Sequence, residues 1–370
     1  MVVVLMDYET VCVKGKCRIS DNQSDRTPIY QNSTYKAGEN PFYYRYGNIN
    51  AKDLSTQLAN MYDRPNLPCY ITASGMSAIS TLVGVMLKNR MKTDKYWAKK
   101  DCYKIILPND LYEETKEYFK LIDSNIKVAY VDLHNISKLE AELSDNTLLV
   151  FLESLSNPLY EDYDVLAICR ATHKYPNAKV AVDNTLLTSY YYNPFHYGAD
   201  YVVESLSKYT CGFGDVMAGM IIGLDCRKHI ALQGDVVSPF SCWLLQRSIP
   251  TLPIRMDRVT QSASKVVEYL KTKTDNVRWY GKGGLITFSL GDGKLHQAIV
   301  DNCKMLFNGY AFGYEETLIL VNWAGYCVMK PPYESHIRIS VGLESPKDII
   351  EDLGQAITQA IKECNNGIQD

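Results

Sequence analysis

Between residues 51 and 235 the chain alternates short apolar segments with amphipathic ones, and this alternation constrains the fold more than any other feature. Seven apolar segments predict strands: Cys69–Thr72, Lys104–Leu107, Lys127–Val131, Thr147–Leu152, Lys179–Val182, Tyr201–Val203 and Val216–Leu224. Four segments between them predict helices: Met76–Lys88, Glu113–Leu121, Ser137–Leu143 and Val165–His173. Nearly continuous apolar strands separated by helices form a largely parallel sheet that is covered on both faces. We therefore expect an α/β domain over residues 51–235, with its ligand beyond the carboxyl ends of the strands.

The last predicted parallel strand is followed by two serines and a lysine, in the segment Tyr201–Tyr209 (YVVESLSKY). A lysine just beyond a buried strand is well placed to form a Schiff base with an aldehyde cofactor. Ser205 and Ser207 can donate hydrogen bonds to a phosphate beside Lys208. Taken alone the pattern is short, and a solvated loop lysine is the better explanation of it.

Residues at three other strand ends favour the Schiff-base role of Lys208 over a solvated loop lysine. After the first strand, Gly75 and Met76 open an apolar helix whose free amides can bind phosphate, although a serine-capped helix explains the same residues. Tyr112 follows the second strand, and its ring either lies over the crevice or packs locally. Asp183 ends an apolar strand, where it either caps the next segment or pairs with a protonated pyridine nitrogen. Phosphate cradle, ring, carboxylate and lysine together are what pyridoxal 5′-phosphate (PLP) requires.

The rest of the chain falls into an arm and a smaller domain. Residues 1–50 are rich in turn formers, so we expect an extended arm that contacts a neighbouring subunit. Tyr43 and Arg45 in this arm suit a phosphate, and aromatic anchoring of the arm explains them equally well. Residues 236–370 predict an α/β domain with helices at Arg255–Leu270, Leu295–Leu306 and Ile349–Ile361 and strands at Leu285–Leu290 and His336–Val341. Arg338 alternates with apolar neighbours in the last strand, which is also typical of a solvated arginine.

Charge and composition exclude several classes of function. The net charge of −3 and the pI near 6.1 argue against nucleic acid or an anionic membrane surface as the main partner. The 11 cysteines are scattered without a C-x-x-C pair, so neither a disulfide framework nor a structural metal site is expected. No apolar stretch approaches the roughly 20 residues that a membrane-spanning helix needs. We expect a cytoplasmic enzyme without a metal.

From about Pro28 to the C-terminus the chain resembles the PLP-dependent enzymes of cysteine and methionine metabolism (trans-sulfuration), which include cystathionine β- and γ-lyases, cystathionine γ-synthase and methionine γ-lyase. The motifs that carry the resemblance are Tyr43-x-Arg45 with Gly47-Asn48, Ser74-Gly75-Met76-x-Ala78, Asn157, Val182-Asp183-Asn184-Thr185, Ser205-x-Ser207-Lys208-Tyr209, Gly214-Asp215 and Arg338-x-Ser340-x-Gly342-x-Glu344. The resemblance implies the type I fold of PLP-dependent transferases.

The resemblance also implies a role for each motif. Lys208 would bind the cofactor aldehyde, Asp183 the pyridinium nitrogen, and Tyr112 would stack on the ring and assist proton transfer. The residues implied for the remaining contacts are Gly75, Met76, Ser205 and Ser207 for the phosphate, Asn157 for the phenolic oxygen, Arg338 for the substrate carboxylate, Tyr43 and Arg45 for the neighbouring subunit's phosphate, and Tyr43 also for the substrate. A homodimer or homotetramer with shared active sites follows.

Within the family, residues 312–322 and the pair Tyr112-Glu113 resemble bacterial cystathionine β-lyases, where γ-enzymes have Tyr-Gly-Gly-Thr. We therefore expect β-elimination from a thioether amino acid such as cystathionine. Three residues depart from the pattern: Phe312 stands where β-lyases have tryptophan, Ala311 where the family usually has serine, and Phe213 where the family has histidine. The alternatives are γ-elimination, γ-replacement, a specialised biosynthetic role, or a non-catalytic descendant that only binds the cofactor.

Overall fold

The computed structural model describes residues 6–14, 27–39, 41–93, 103–122, 125–157, 159–291, 293–323 and 335–366. The helices are α1 (Tyr8–Lys14), α2 (Ile49–Met61), α3 (Gly75–Thr93), α4 (Glu113–Lys120), α5 (Ile136–Glu142), α6 (Val165–Thr172), α7 (Thr188–Tyr191), α8 (Arg227–Gln233), α9 (Pro239–Ser248), α10 (Leu252–Lys271), α11 (Gly293–Asp301) and α12 (Pro346–Asn366). The strands are β1 (Cys69–Thr72), β2 (Tyr103–Pro108), β3 (Ile126–Val131), β4 (Thr147–Glu153), β5 (Lys179–Asp183), β6 (Tyr201–Ser205), β7 (Gly219–Ile222), β8 (Val277–Arg278), β9 (Leu285–Phe288), β10 (Phe307–Asn308), β11 (Leu318–Trp323) and β12 (Ser335–Ser340). None of these helices is long and apolar enough to cross a bilayer.

The chain divides into two compact units. The first comprises Met1–Leu155, Asp162–Cys211 and Asp215–Leu252, and the second comprises Ser156–Glu161, Gly212–Gly214 and Pro253–Asp370. The division into an arm at 1–50, a cofactor domain at 51–235 and a C-terminal domain at 236–370 stays a prediction.

The first unit contains a seven-stranded sheet in the order β1-β7-β6-β5-β4-β2-β3, in which only β7 runs antiparallel to its neighbours. The prediction of a large, mainly parallel α/β sheet is therefore confirmed. Strand β2 illustrates why the strands read as continuous apolar runs: Ile105 and Leu107 face the core under α3, whereas Ile106 faces the core on the other side. Polar residues end three adjacent strands of this sheet, namely Glu153 in β4, Asp183 in β5 and Ser205 in β6.

The second unit contains a five-stranded sheet in the order β10-β11-β12-β9-β8. In β12, Ile337 and Ile339 pack with Ile349 and Leu353 of α12 in one apolar core. The helical spacing of Ile350, Leu353, Ile357 and Ile361 predicts that all four are buried in the last helix, but Ile361 is 43% exposed. The core positions near that end are taken by alanines instead.

Three local predictions were wrong for identifiable reasons. The arm is not extended throughout, because α1 forms at Tyr8–Lys14, ahead of the turn formers, and buries Cys12; the turn-rich residues 21–25 lie outside the described part. Helix α2 was missed because its buried face includes Asn50, Asp53 and Gln57, which obscure the apolar period. Helix α11 ends at Asp301 rather than Leu306, because the amides of residues 304–306 donate to the Asp352 carboxylate.

Candidate active site

The first turn of α3 lies against the end of β6. Ser74 and Ser77 cap the helix reciprocally, with Ser77 N donating to Ser74 Oγ over 3.0 Å and Ser74 N donating to Ser77 Oγ over 2.9 Å. A Cβ on Gly75 would lie 2.7 Å from Ser205 Cβ, so only glycine permits this approach. The first amides of a helix have no intrahelical acceptor, so those of Gly75 and Met76 can bind an anion beside Ser205.

A hydrogen-bonded chain connects the ends of β5 and β6. Ser205 N donates to Thr185 Oγ1 over 2.8 Å, and Thr185 Oγ1 donates to Asp183 Oδ1 over 2.5 Å. Thr185 N also donates to Asp183 Oδ1, over 2.9 Å, so Asp183 does cap the following turn. Its second oxygen, Oδ2, takes part in neither bond and can bind a ring nitrogen as well. Burial raises the pKa of Asp183, and the two bonds from Thr185 oppose that rise.

Lys208 lies in the turn that directly follows β6. Its amide donates to Ser205 O over 3.3 Å, and its side chain is half-buried. Ser207 is held by Ala218, whose amide donates to Ser207 Oγ over 3.0 Å. In this structure the Ser207 hydroxyl donates in turn to Ala218 O over 3.3 Å, so donation to a phosphate requires its rotation. The turn therefore places Ser205, Ser207 and Lys208 at one edge of the sheet.

Tyr112 precedes α4 just beyond the end of β2, and its side chain is 44% exposed. Its amide donates over 2.9 Å to Oε1 of Glu153, the last residue of β4. Burial and the nearby Asp183 raise the pKa of Glu153 well above its ordinary value. In the sequence, Glu153 opens a polar cluster that ends the apolar run at 147–152, but no role was predicted for it.

Tyr43 and Arg45 lie at the surface of the first unit. Tyr43 is 40% exposed, and the guanidinium carbon of Arg45 lies 5.5 Å from the centre of its ring. Arg45 Nη1 donates to Ala231 O over 3.3 Å. Both side chains thus retain surface that a second molecule can reach.

Arg338 and Asn157 belong to the second unit. Arg338 Nη2 donates to Tyr310 O over 2.6 Å and to Ala311 O over 3.1 Å. The alternation predicted for this strand is confirmed, because Ile337 and Ile339 are fully buried and Arg338 is not. The Arg338 guanidinium is therefore bound by backbone carbonyls and is not simply solvated. Asn157 is half-buried in the turn after β4.

The residues of the first unit fit pyridoxal 5′-phosphate. The glycine contact at Gly75 and Ser205 leaves free helix amides for its phosphate, and the buried carboxylate of Asp183 suits its ring nitrogen. Lys208 supplies the amine that its aldehyde requires. This donor set is specific for the cofactor rather than for a phosphate alone, because a free phosphate needs neither the carboxylate nor the amine.

Comparison with known proteins agrees with this fit. The model of a family described as Cys/Met metabolism PLP-dependent enzyme matches residues 9–358. Cystathionine beta-lyase of Neurospora crassa is 30% identical over 371 residues, covering 90% of this chain and 78% of that protein. L-methionine gamma-lyase of Fusobacterium nucleatum subsp. polymorphum is 30% identical over 382 residues, covering 89% and 92%.

A solved structure shows that the fold is shared as well. Cystathionine gamma-lyase from Lactobacillus plantarum, complexed with L-serine, matches with a TM-score of 0.85 at 24% identity, covering 96% of this chain and 99% of that one. Because the family model spans nearly the whole chain, the protein belongs to the family of PLP-dependent enzymes of cysteine and methionine metabolism.

Proposed function

We propose that this protein is a carbon–sulfur lyase that eliminates at Cβ of a thioether amino acid such as cystathionine. The observation that carries the proposal is the bonded chain from Asp183 through Thr185 to Ser205, three residues before Lys208. It ties the proposed partner of a pyridine nitrogen to the proposed partner of a phosphate, and Lys208 follows in the turn after β6. A module that only bound phosphate would need no such connection.

The cofactor and the protein divide the chemistry. Bound PLP supplies an electron-withdrawing ring that accepts the electron pair left when a proton leaves the substrate Cα. The amine of Lys208 takes that proton, and Asp183 keeps its carboxylate charge opposite the ring nitrogen. Tyr112 would cover the ring of the bound cofactor and would assist transfer of a proton to the departing sulfur. Asn157 would bind the phenolic oxygen of the cofactor.

Arg338 holds the substrate by its α-carboxylate. A guanidinium matches a carboxylate with two parallel hydrogen bonds, and the carbonyls of Tyr310 and Ala311 restrain its orientation. A restrained arginine loses less side-chain entropy when the substrate binds. Substitution of Arg338 is therefore expected to affect KM more than cofactor binding.

The choice of β-elimination rests on Tyr112 and its neighbour. Helix α4 begins at Glu113 directly after Tyr112, where the γ-enzymes have two glycines. Elimination at Cβ needs a single proton removal, at Cα, before the thiolate departs. With cystathionine and water the products are homocysteine, pyruvate and ammonia.

A γ-elimination or γ-replacement is the second candidate, because the methionine γ-lyase is as similar to this chain, at 30% identity, as the β-lyase is. Incubation of the cofactor-loaded protein with cystathionine distinguishes the two. Pyruvate with homocysteine supports the proposal, whereas 2-oxobutyrate with cysteine would establish the γ-reaction. Turnover only on an O-acyl homoserine with a thiol would point to replacement.

The quaternary state and the compartment are also part of the proposal. Tyr43 and Arg45 act on the phosphate and substrate of a neighbouring subunit, in a homodimer or homotetramer with shared sites. Five of the eight described cysteines are fully or almost fully buried, which suits the reducing cytoplasm. No nucleic acid, membrane or metal takes part.

A further inference from the structure

The carboxyl group of Glu153 is a buried titratable group to which the mechanism above assigns no role. Its side chain is largely buried, with 6% of the residue's surface exposed. Oε1 accepts the amide of Tyr112 over 2.9 Å, whereas Oε2 has no hydrogen-bond partner among the described residues. An ionised carboxylate with one unpaired, desolvated oxygen is costly, so the protonation state of this group matters.

Glu153 competes with Asp183 for a proton. The two residues are register partners on the parallel strands β4 and β5, so their side chains leave the same face of the sheet. Asp183 accepts two hydrogen bonds from Thr185, which favour its ionised form, whereas Glu153 accepts one. Two neighbouring buried carboxyl groups do not both ionise readily, so the proton is assigned to Glu153.

The other charged groups near Glu153 do not reverse this assignment. Lys116 favours its ionised form, but the Lys116 ammonium lies 3.3 Å from Glu113 Oε2 and is shared with that residue. Asp110 adds a further negative charge on the same side. Burial, Asp183 and Asp110 thus outweigh the Tyr112 amide and Lys116.

We propose that Glu153 is a positioning residue which, carrying a proton, holds the backbone of Tyr112 in place over the cofactor and leaves Asp183 as the single anion at the ring nitrogen. The inference rests on the proposed roles of Tyr112 and Asp183. The Glu153 carboxyl group then has two tasks. One of its oxygens accepts the hydrogen bond from the Tyr112 amide, and its neutral state avoids a second negative charge beside Asp183. Glutamine can perform both tasks. Alanine is neutral, but it can neither accept the hydrogen bond from Tyr112 nor fill the space of the longer side chain.

The test uses full-length protein stripped of PLP and titrated with it. Glu153→Gln is expected to bind PLP within about 3-fold of the unaltered protein, and the visible band of the bound cofactor is expected to titrate within about 0.3 pH units of it. Glu153→Ala is expected to bind PLP about 10-fold more weakly, because the Tyr112 backbone loses its acceptor. Asp352→Asn, a change at a buried carboxylate in the second unit, is the control for general destabilisation and is expected to bind PLP normally.

A double-mutant cycle separates positioning from a general packing effect. If Glu153 acts through Tyr112, Glu153→Ala costs less than about 2-fold in PLP affinity when introduced into Tyr112→Ala. Fully additive losses would overturn the positioning role. A downward shift of one pH unit or more in the titration of Glu153→Gln would show that Glu153 is ionised and would overturn the protonated assignment.

The unaltered protein serves as the reference for the function itself. If it fails to bind PLP at all, the proposed function is wrong and the inference falls with it. If it binds PLP and only the glutamine variant or the cycle behaves otherwise than expected, the function stands and the inference alone is wrong.

Discussion

Thr185 connects Asp183 and Ser205, which are proposed to bind different ends of the cofactor. Its hydroxyl donates to Asp183 and accepts from the amide of Ser205, so a single oxygen couples β5 to β6. Replacing that oxygen by a methyl group of similar volume leaves a buried amide without its acceptor. The geometry at both cofactor contacts therefore depends on this side chain.

Thr185→Val is expected to weaken PLP binding by about 10-fold while the fold is retained. Fluorescence titration of the apoprotein with PLP measures the change. Thr172→Val is the matched control, because the Thr172 hydroxyl is buried without a hydrogen-bond partner among the described residues. Equal effects of the two substitutions would contradict the coupling.

Gly75→Ala is expected to weaken PLP binding by about 10-fold or more, because the new Cβ would lie 2.7 Å from Ser205 Cβ and would push the helix amides away from β6. Gly354→Ala in α12 is the control, since the nearest atom there is the flexible end of Tyr269 and alanine favours a helix. The control should bind PLP normally. Normal binding by Gly75→Ala as well would mean that the cradle is not formed by this contact.

At the residue scale, the sequence predicted those site residues whose chemistry is out of place at a strand end. Lys208 and Asp183 follow apolar runs, and Gly75 opens an apolar helix, so each was visible without a structure. No role was predicted for Thr185 or Glu153, because their roles lie in hydrogen bonds to residues beyond their own strands. Such contacts depend on strand order, which apolar spacing does not specify.

Strand β6 has a polar side chain on each face of the sheet near its end. Ser205 faces α3, whereas Glu204 faces the opposite side, where Tyr62 OH donates to Glu204 Oε2 over 2.6 Å and Thr210 donates to the other oxygen. Burial raises the pKa of Glu204 to about 7 from an ordinary value of 4.5. The folded chain therefore holds a proton on Glu204 over a pH range in which the unfolded chain has lost it.

The sign of the pH dependence follows directly. As the pH rises from 4.5 towards 7, Glu204 ionises in the unfolded state but stays protonated in the folded state, which stabilises the unfolded state. The free energy of unfolding therefore falls by up to about 3 kcal/mol, and this loss persists above pH 7. Glu204→Gln is expected to remove this loss. Urea unfolding at pH 5 and pH 8 should show the variant gaining stability relative to the unaltered protein at pH 8. An equal pH dependence of both proteins would contradict the protonated state.

At the element scale, prediction succeeded where apolar spacing was clean. Strands β1–β6 and helices α3–α6 were found within a few residues, because each buries apolar side chains on one face or both. Helix α2 was missed because Gln57 and Asp53 occupy buried positions, where Gln57 Nε2 donates to Cys12 O over 2.9 Å and Asp53 accepts from Gln246 over 2.7 Å. A helix buried through polar pairs leaves no period to detect.

For the whole molecule, the central question is whether one chain contains a complete site. Tyr43 and Arg45 are proposed to act on a neighbouring subunit, whereas Lys208 acts in its own. Arg45→Ala and Lys208→Ala homo-oligomers are then both impaired. In mixed oligomers formed after joint refolding, one site in each heterodimer contains both native residues.

Mixing the two variants is accordingly expected to restore roughly a quarter of the native activity, since half of randomly formed dimers are mixed and each has one intact site. Lyase activity on cystathionine, or on whichever thioether the protein accepts, is the readout. The control is a mixture of Lys208→Ala with Asp183→Ala. Both residues belong to the same subunit's site, so every site in this mixture lacks one of them and no activity should be restored. Failure of the first mixture would mean that each chain supplies its own phosphate contacts.

The account as a whole depends on the bond between Lys208 and the cofactor. Reduction of the PLP-loaded protein with borohydride, followed by proteolysis and peptide mass analysis, tests it most directly. The account predicts one pyridoxyl label, on the peptide that contains Lys208. A label on another lysine, or none after loading with PLP, would contradict it.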